Sequence, residues 1–324
     1  MKLLFLSDSH LGFDLPFSPK DERIRRGTDF FRMYEMALKP AFDRQVDAVI
    51  HGGDILYRSK VPSRLVQMAF NPLRAIADDG IPVYIVPGNH ERSKIPYPIL
   101  AMHPNIHIFT KPKTFYLELS DGCLALAGFP FQKGPIRHEF HSILKETAWT
   151  KQDFDVGILC MHQSIDGASI KQGDLFFVFR NKVDVIRIQD LPRSFSAALS
   201  GHIHRYQVLE TDLDGYPVAV PVFYPGSIER TSFQEKDEAK GFLILDLTQS
   251  KTTGRWQVSH QFHELPARPM IQISFDGTGK SAKQLHEQIL SRTEGFPPDS
   301  VVGIRIHGKL SAECLSALTI GQIR

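Results

Sequence analysis

A chain of 324 residues is long enough for more than one domain, and 42% hydrophobic with 23% charged content marks a folded globular protein, not a disordered one. Its 38 Lys and Arg against 36 Asp and Glu leave a net charge of +2, so a polyanionic partner has to be sought in a local patch. Three cysteines, Cys123, Cys160 and Cys314, are odd in number and lack metal-ligand spacing, which excludes a thiolate zinc site and points to a reduced, cytoplasmic protein.

The first apolar run, Leu3 to Leu6, reads as a buried strand. It breaks at once into Ser7-Asp8-Ser9-His10, too short for a secretion signal, and no later run is long enough to span a bilayer. Asp8 and His10, two apart on an extended chain, face the same way and suit one metal ion. Phe13 to Gly27 is a loop of mixed charge (Lys20, Asp21, Glu22, Arg23, Arg25, Arg26) expected to lie in solvent. Thr28 to Gln45 carries a helical stripe of Phe30, Phe31, Tyr34, Ala37, Leu38, Ala41 and Phe42, with a kink or break expected at Pro40. Asp47 to His51 is the second strand, and Gly52-Gly53 lets the backbone pass close to an ion before Asp54. Helical Ser63 to Ala77 leads to a third strand, Pro82 to Val86. There Pro87 and Gly88, the latter tolerant of φ > 0, force a turn that presents Asn89, His90 and Glu91: an amide oxygen, a proton carrier and a group to orient it.

This β-α-β-α-β rhythm predicts a parallel sheet with right-handed crossovers, with Asp8, Asp54 and Asn89 at the carboxyl ends of its strands, where open α/β sheets bind ligands. Ile106–Phe109, Phe115–Leu119 and Cys123–Gly128 read as further strands, with a helix around Arg137 to Thr147. Two more strands, Val156–Met161 and Phe195–Leu199, end in His162 and in Gly201-His202-Ile203-His204, whose two imidazoles again face one way. Asp, Asn and His make a mixed oxygen and nitrogen set suited to Mn, Fe or Zn. Tyr206–Leu209 and Val218–Phe223 follow, and Gly241–Leu247 with Trp256–His263 look like closing strands of the same layer. From residue 267 a small β-α-β pattern (Met270–Ser274, Ser281–Arg292, Ser300–His307) reads as a second, partial domain, leaving 1–266 as the first.

The ordered set Asp8-x-His10, Gly53-Asp54, Gly88-Asn89-His90-Glu91, His162 and Gly201-His202-x-His204 resembles the calcineurin-like metallophosphoesterases. Leu11-Gly12-Phe13, Tyr224-Pro225-Gly226-Ser227, Glu235 and Lys240-Gly241-Phe242 make it similar to the SbcD-type DNA-repair nucleases. The resemblance implies an α/β fold, a four-layer αββα sandwich with a small, partial α+β capping domain. It also implies two divalent ions, commonly Mn²⁺, one held by Asp8, His10, Asp54 and His204 and the other by Asp54, Asn89, His162 and His202. Two ions roughly 3.5–4 Å apart activate water and clamp a phosphate for in-line attack. His90 would then act on the leaving oxygen, with Glu91 holding its ring. The partners implied are DNA, an SMC-like ATPase of the SbcC type, and a second copy of the chain in a homodimer.

The chain departs from the pattern in three places. Glu91 stands where the family usually has Asp, and Tyr57 stands where some relatives carry a histidine used in exonuclease action. The chain also ends at Arg324, before the region through which such nucleases bind their ATPase. Arg58, Lys60, Arg64, Arg92 and Lys94, close in sequence to the metal motifs, are the candidate DNA track. Three readings follow: a Mn-dependent DNA exonuclease and endonuclease, a small-nucleotide phosphodiesterase or phosphatase, or a non-catalytic scaffold. The last is disfavoured by the retention of all seven ligands and His90.

Overall fold

The computed structural model describes residues 1–14, 26–92, 102–172, 175–250, 252, 254 and 256–317. The chain opens with β1 (Lys2–Leu6), α1 (Gly27–Phe42), β2 (Ala48–His51), α2 (Ser63–Asp78), β3 (Val83–Ile85) and β4 (Ile106–Ile108). β1 through β4 pair in parallel, in order. A second sheet is begun by β5 (Lys113–Leu119) and β6 (Gly122–Gly128), then α3 (Ile136–Glu146) and β7 (Val156–Met161). An excursion of four short strands follows: β8 (Ser164–Ile165), β9 (Ser169–Gln172), β10 (Leu175–Val178) and β11 (Val185–Ile186). The second sheet is completed by β12 (Ala197–Ser200), β13 (Gln207–Thr211) and β14 (Pro217–Tyr224), in the order β13-β14-β12-β7-β6-β5.

β15 (Gly241–Gln249) and β16 (Trp256–Glu264) do not join that second layer, contrary to the sequence expectation. β15 runs antiparallel to β1 and extends the first sheet, giving β16-β15-β1-β2-β3-β4. The reason is an unpaired flank: with β2 on only one side, β1 still offers a row of backbone donors and acceptors that a strand can satisfy.

Strand alternation sorts the core into layers. Leu4 and Leu6 of β1, with Val49 and Val83, pack against the apolar stripes of α1 and α2. Leu3 and Phe5 point the other way, into a middle layer shared with Leu124, Leu126, Ile158 and Leu199 of the second sheet. Leu159, Met161 and Ala198, on the far face of that sheet, meet Phe140 and Leu144 of α3. Helix, sheet, sheet, helix is thus the stacking of a mixed α/β fold. Pro40 lies inside α1, in its last turn, and neither ends nor precedes the helix; Phe42 at its end is 41% exposed and leaves the stripe. Arg26 is not solvated either: it is buried and pairs with Glu229 at 3.1 Å.

By internal contacts the chain forms two compact units. One holds the two large sheets; the other comprises Arg230–Asp237 with the stretch from Arg268 onward. In the latter, β17 (Met270–Asp276) and β18 (Val301–His307) pair in parallel around α4 (Ala282–Thr293), whose N-terminus is closed by a reciprocal Ser281–Gln284 cap. A short α5 (Ala312–Ala317) follows.

Candidate metal centre

The turns after β1, β2 and β3 carry Asp8 and His10, Asp54, and Asn89 with His90, while those after β7 and β12 carry His162, and His202 with His204. All lie at carboxyl ends of parallel strands, so two sheets contribute to one place. Asp8, His10 and His204 converge as one potential ligand group, Asp8, Asp54 and His162 as a second, and His10, Asp54 and His90 as a third. Asn89 Oδ1 lies 3.0 Å from His162 Nε2 and 2.8 Å from His202 Nδ1. Asp8 also accepts the backbone N–H of His202 (3.1 Å).

Reaching these positions strains the backbone. Asp8, His10, Asp54 and His202 all have positive φ, between 43° and 82°, a region that L-residues rarely occupy. Glycine makes room for the side chains. A Cβ on Gly53, itself at φ +108°, would collide with the His162 ring, and one on Gly88 with the Asp54 carboxylate. Gly88 is therefore required by space and not by a positive φ, which it does not adopt.

The hydrogen bonds fix which ring nitrogens face the cluster. His162 Nδ1–H donates to the Gly52 carbonyl (2.7 Å), so Nε2 is the ring atom that faces Asn89 Oδ1 and Asp54 Oδ2 (3.4 Å), and it needs either a proton or a cation between itself and those oxygens. His10 Nε2 and His204 Nε2 stand 2.9 Å apart. Among the described residues, the ion-pair partners of the buried Asp8 and Asp54 are all imidazoles. Two buried carboxylates need positive charge beside them, from protonated imidazoles or from a cation, and oxygen and imidazole donors without thiolate suit a divalent first-row metal. The residues fit such ions.

Protonation follows the same logic. Burial works against the Asp54 carboxylate, but His162, His10 and His90 hold it well below the usual range. Burial also opposes His162, which Asp54 nevertheless pushes up to about 9. Burial, opposed by His162 and His204, raises Asp8. Burial and the nearby His162 lower His202 to about 3.

Glu91 does not orient His90, as its place in the sequence had suggested. Its carboxylate is buried and accepts three backbone N–H groups, from Asp54 (3.2 Å), Leu56 (2.9 Å) and Gly88 (2.8 Å), tying the Asp54 and Asn89 turns together. Burial raises it to about 8, against the pull of those donors. The His90 ring is held by the Tyr57 carbonyl, to which Nδ1–H donates at 2.7 Å. This leaves Nε2 pointing inward, 3.9 Å from Asp54 Oδ2, with the side chain one-third exposed at 34%.

Of the candidate DNA track, Arg58, Lys60, Arg64 and Arg92 are exposed, and the Arg58 guanidinium lies over the Tyr57 ring. Lys94 falls outside the described residues. Sequence reasoning missed Phe131, whose ring lies 5.6 Å from that of His202 and 6.1 Å from that of His162. It follows β6, a strand of the same parallel set, and the rule that located the ligands would have found it. It also missed His51, which bonds Ser9 Oγ (2.8 Å) and accepts the Gly53 N–H, and which burial lowers to about 3.

A layered α/β scaffold with carboxylate, amide and imidazole donors at its strand ends and a partly exposed histidine beside them has the donor set of a metal-dependent phosphoesterase. Residues 1–206 match the sequence profile "Calcineurin-like phosphoesterase", and the chain belongs to that family. It is 27% identical over 301 residues to the DNA double-strand break repair protein Mre11 of Aeropyrum pernix, covering 86% of this chain and 65% of that protein. The Thermoplasma acidophilum protein of the same name is 24% identical over 323 residues, covering 96% and 78%. The chain spans less than two thirds of the length of the Mre11 proteins of A. pernix, Methanocaldococcus jannaschii and Sulfurisphaera tokodaii. A dimetal phosphatase from Danio rerio superposes over 82% of this chain and 98% of its own, with a TM-score of 0.47 and 10% identity. Among the described residues no helix is long and apolar enough to cross a membrane.

Proposed function

We propose that this chain is a cytoplasmic DNA nuclease, cutting phosphodiester bonds endonucleolytically and exonucleolytically in the repair of double-strand breaks. The observation that carries the reading is His90, a histidine with a fixed tautomer and a third of its side chain open, set against buried ligands from both sheets. The likeness to Mre11 proteins along most of the chain supplies the substrate class.

Asp8, His10, Asp54 and His204 would hold one divalent ion, and Asp54, Asn89, His162 and His202 a second, with Mn²⁺ the preferred metal. Bound there, the ions supply electrophilic activation of the phosphate and of the attacking water. The chain's own part is acid–base work. Because Nδ1–H of His90 is committed to the Tyr57 carbonyl, the Nε2 proton of the imidazolium is the one delivered to the leaving oxygen. Glu91 keeps the Asp54 and Asn89 turns in register. Arg58, Lys60, Arg64 and Arg92 would track the phosphates, and the unit from Arg268 onward would be the beginning of a capping domain. A second copy and an SMC-like ATPase are the proposed protein partners.

The test is Mn²⁺-dependent cleavage of single- and double-stranded DNA beside bis-p-nitrophenyl phosphate, with His90→Ala as control. DNA cleavage that requires Mn²⁺ and disappears in the variant supports the nuclease. Turnover of the small ester alone replaces it with a small-nucleotide phosphodiesterase.

A further inference from the structure

Directly after His162 the chain leaves the second sheet to build the antiparallel hairpin β9–β10, in which Lys171 pairs with Phe176 and Ser169 with Val178. Alternation gives this hairpin two faces. Ile170, on one of them, packs against the core beneath α3. Phe176, on the other, is 56% exposed. The Arg205 guanidinium lies 4.3 Å from the Phe176 ring centroid, and Arg205 Nη1 also donates to Ser169 Oγ (3.0 Å). Gln207 completes the anchorage, accepting the Ser169 N–H at 2.9 Å and donating to its carbonyl at 3.0 Å. An exposed aromatic ring thus sits against Arg205, the residue immediately after the candidate ligand His204, while Gln207, three after it, holds Ser169 on the opposing strand.

We propose that this face, Phe176 with Arg205 and Lys171, is a stacking site for an unpaired nucleotide of the nucleic-acid strand. The inference rests on the nuclease reading and deepens it by naming the form of substrate. With the guanidinium against the ring, Phe176 as a residue is still 56% exposed, which leaves surface for a flat partner. Cations beside an aromatic platform are the combination that binds single strands, the ring taking the base and the cations the phosphates. In an intact duplex the base faces are already stacked on one another, so the site selects a frayed end or a single-stranded segment.

The test is equilibrium binding in EDTA, which prevents cleavage. A fluorescein-labelled oligothymidylate is compared with an abasic strand of equal length and charge, on wild type, Phe176→Ala and Phe176→Trp. The expected result is that Phe176→Ala weakens oligothymidylate binding by about 5- to 150-fold. The abasic strand should be indifferent to that change, and Phe176→Trp should restore affinity, with its added emission quenched by the thymidylate. Equal affinities of wild type and Phe176→Ala for oligothymidylate, or an equal loss on both strands, overturn the stacking site. So does a wild-type dimer in sedimentation that Phe176→Ala converts to monomer, which assigns the face to a second copy. Wild type that binds neither strand and fails to cut DNA with Mn²⁺ removes the nuclease reading itself.

Discussion

The ammonium of Lys240 donates at 2.8 Å to the backbone carbonyl of His204, with its side chain wholly buried and Glu238 Oε2 3.4 Å away. Ser227 N–H reaches the same carbonyl at 3.1 Å, so the last ligand-bearing turn is gripped from two sides. The Tyr224-Pro225-Gly226-Ser227 and Lys240-Gly241-Phe242 motifs meet here. Lys240→Ala leaves a buried carbonyl and the Glu238 carboxylate without this donor, and should lower stability by about 3–5 kcal/mol. Denaturant unfolding of the variant against wild type measures it.

His90→Ala separates two roles. As the acid, His90 contributes about 10²–10⁴ to turnover, so kcat should fall by that factor while Mn²⁺ affinity stays within about threefold. Isothermal titration beside steady-state kinetics gives both numbers. A parallel collapse of affinity would instead make His90 a ligand with His10 and Asp54, the third convergent group.

Gly53→Ala tests the close packing around the ligands. The new methyl strikes the His162 ring and must sit at φ +108°. His162 is displaced from the Gly52 carbonyl that sets its tautomer, and loss of such an anchor costs about 10- to 100-fold in metal affinity. Titration of Mn²⁺ monitored by electron paramagnetic resonance reads the change.

One component of the pH dependence of the metal-free protein comes from His51. Folding lowers its pKa from 6.5 to about 3, so the native state binds this proton less readily than the unfolded state does. Its contribution to stability is complete above pH 6.5 and is lost progressively as the pH falls toward 3. Urea midpoints of wild type in EDTA should therefore drop more steeply between pH 7 and 4 than those of His51→Gln.

On the nuclease reading, Arg58 and Arg92 each neutralise about one phosphate. The double alanine variant should bind duplex DNA more weakly and reduce the slope of log affinity against log salt by about 2. Anisotropy titrations at 50 to 200 mM salt would show an unchanged slope if neither touches the backbone.

The convergence of the candidate ligands was legible in the sequence because each sits where an apolar strand stops, and strands are readable from local runs. The Glu91 role was not, because neighbours in a turn diverge. What the carboxylate binds is three N–H groups, two of them 35 and 37 residues away in sequence. The placement of β15 beside β1 escaped for a similar reason: apolar alternation marks a strand but not its partner. The excursion from β8 to β11 consists of strands of two to four residues, too short for any period to show.

The division of donors between the two sheets has a temporal consequence. The first sheet alone offers two carboxylates, an amide and His10; the second alone offers three imidazoles. Neither half forms a complete cage. A chain made from its N-terminus reaches residue 204 only after the strands from β1 to β12 exist, and β15 must still travel back to flank β1. On the two-ion reading, metal capture would therefore be a late event in the life of the chain, open only to molecules whose halves have already docked, and an unfinished copy would hold no assembled site.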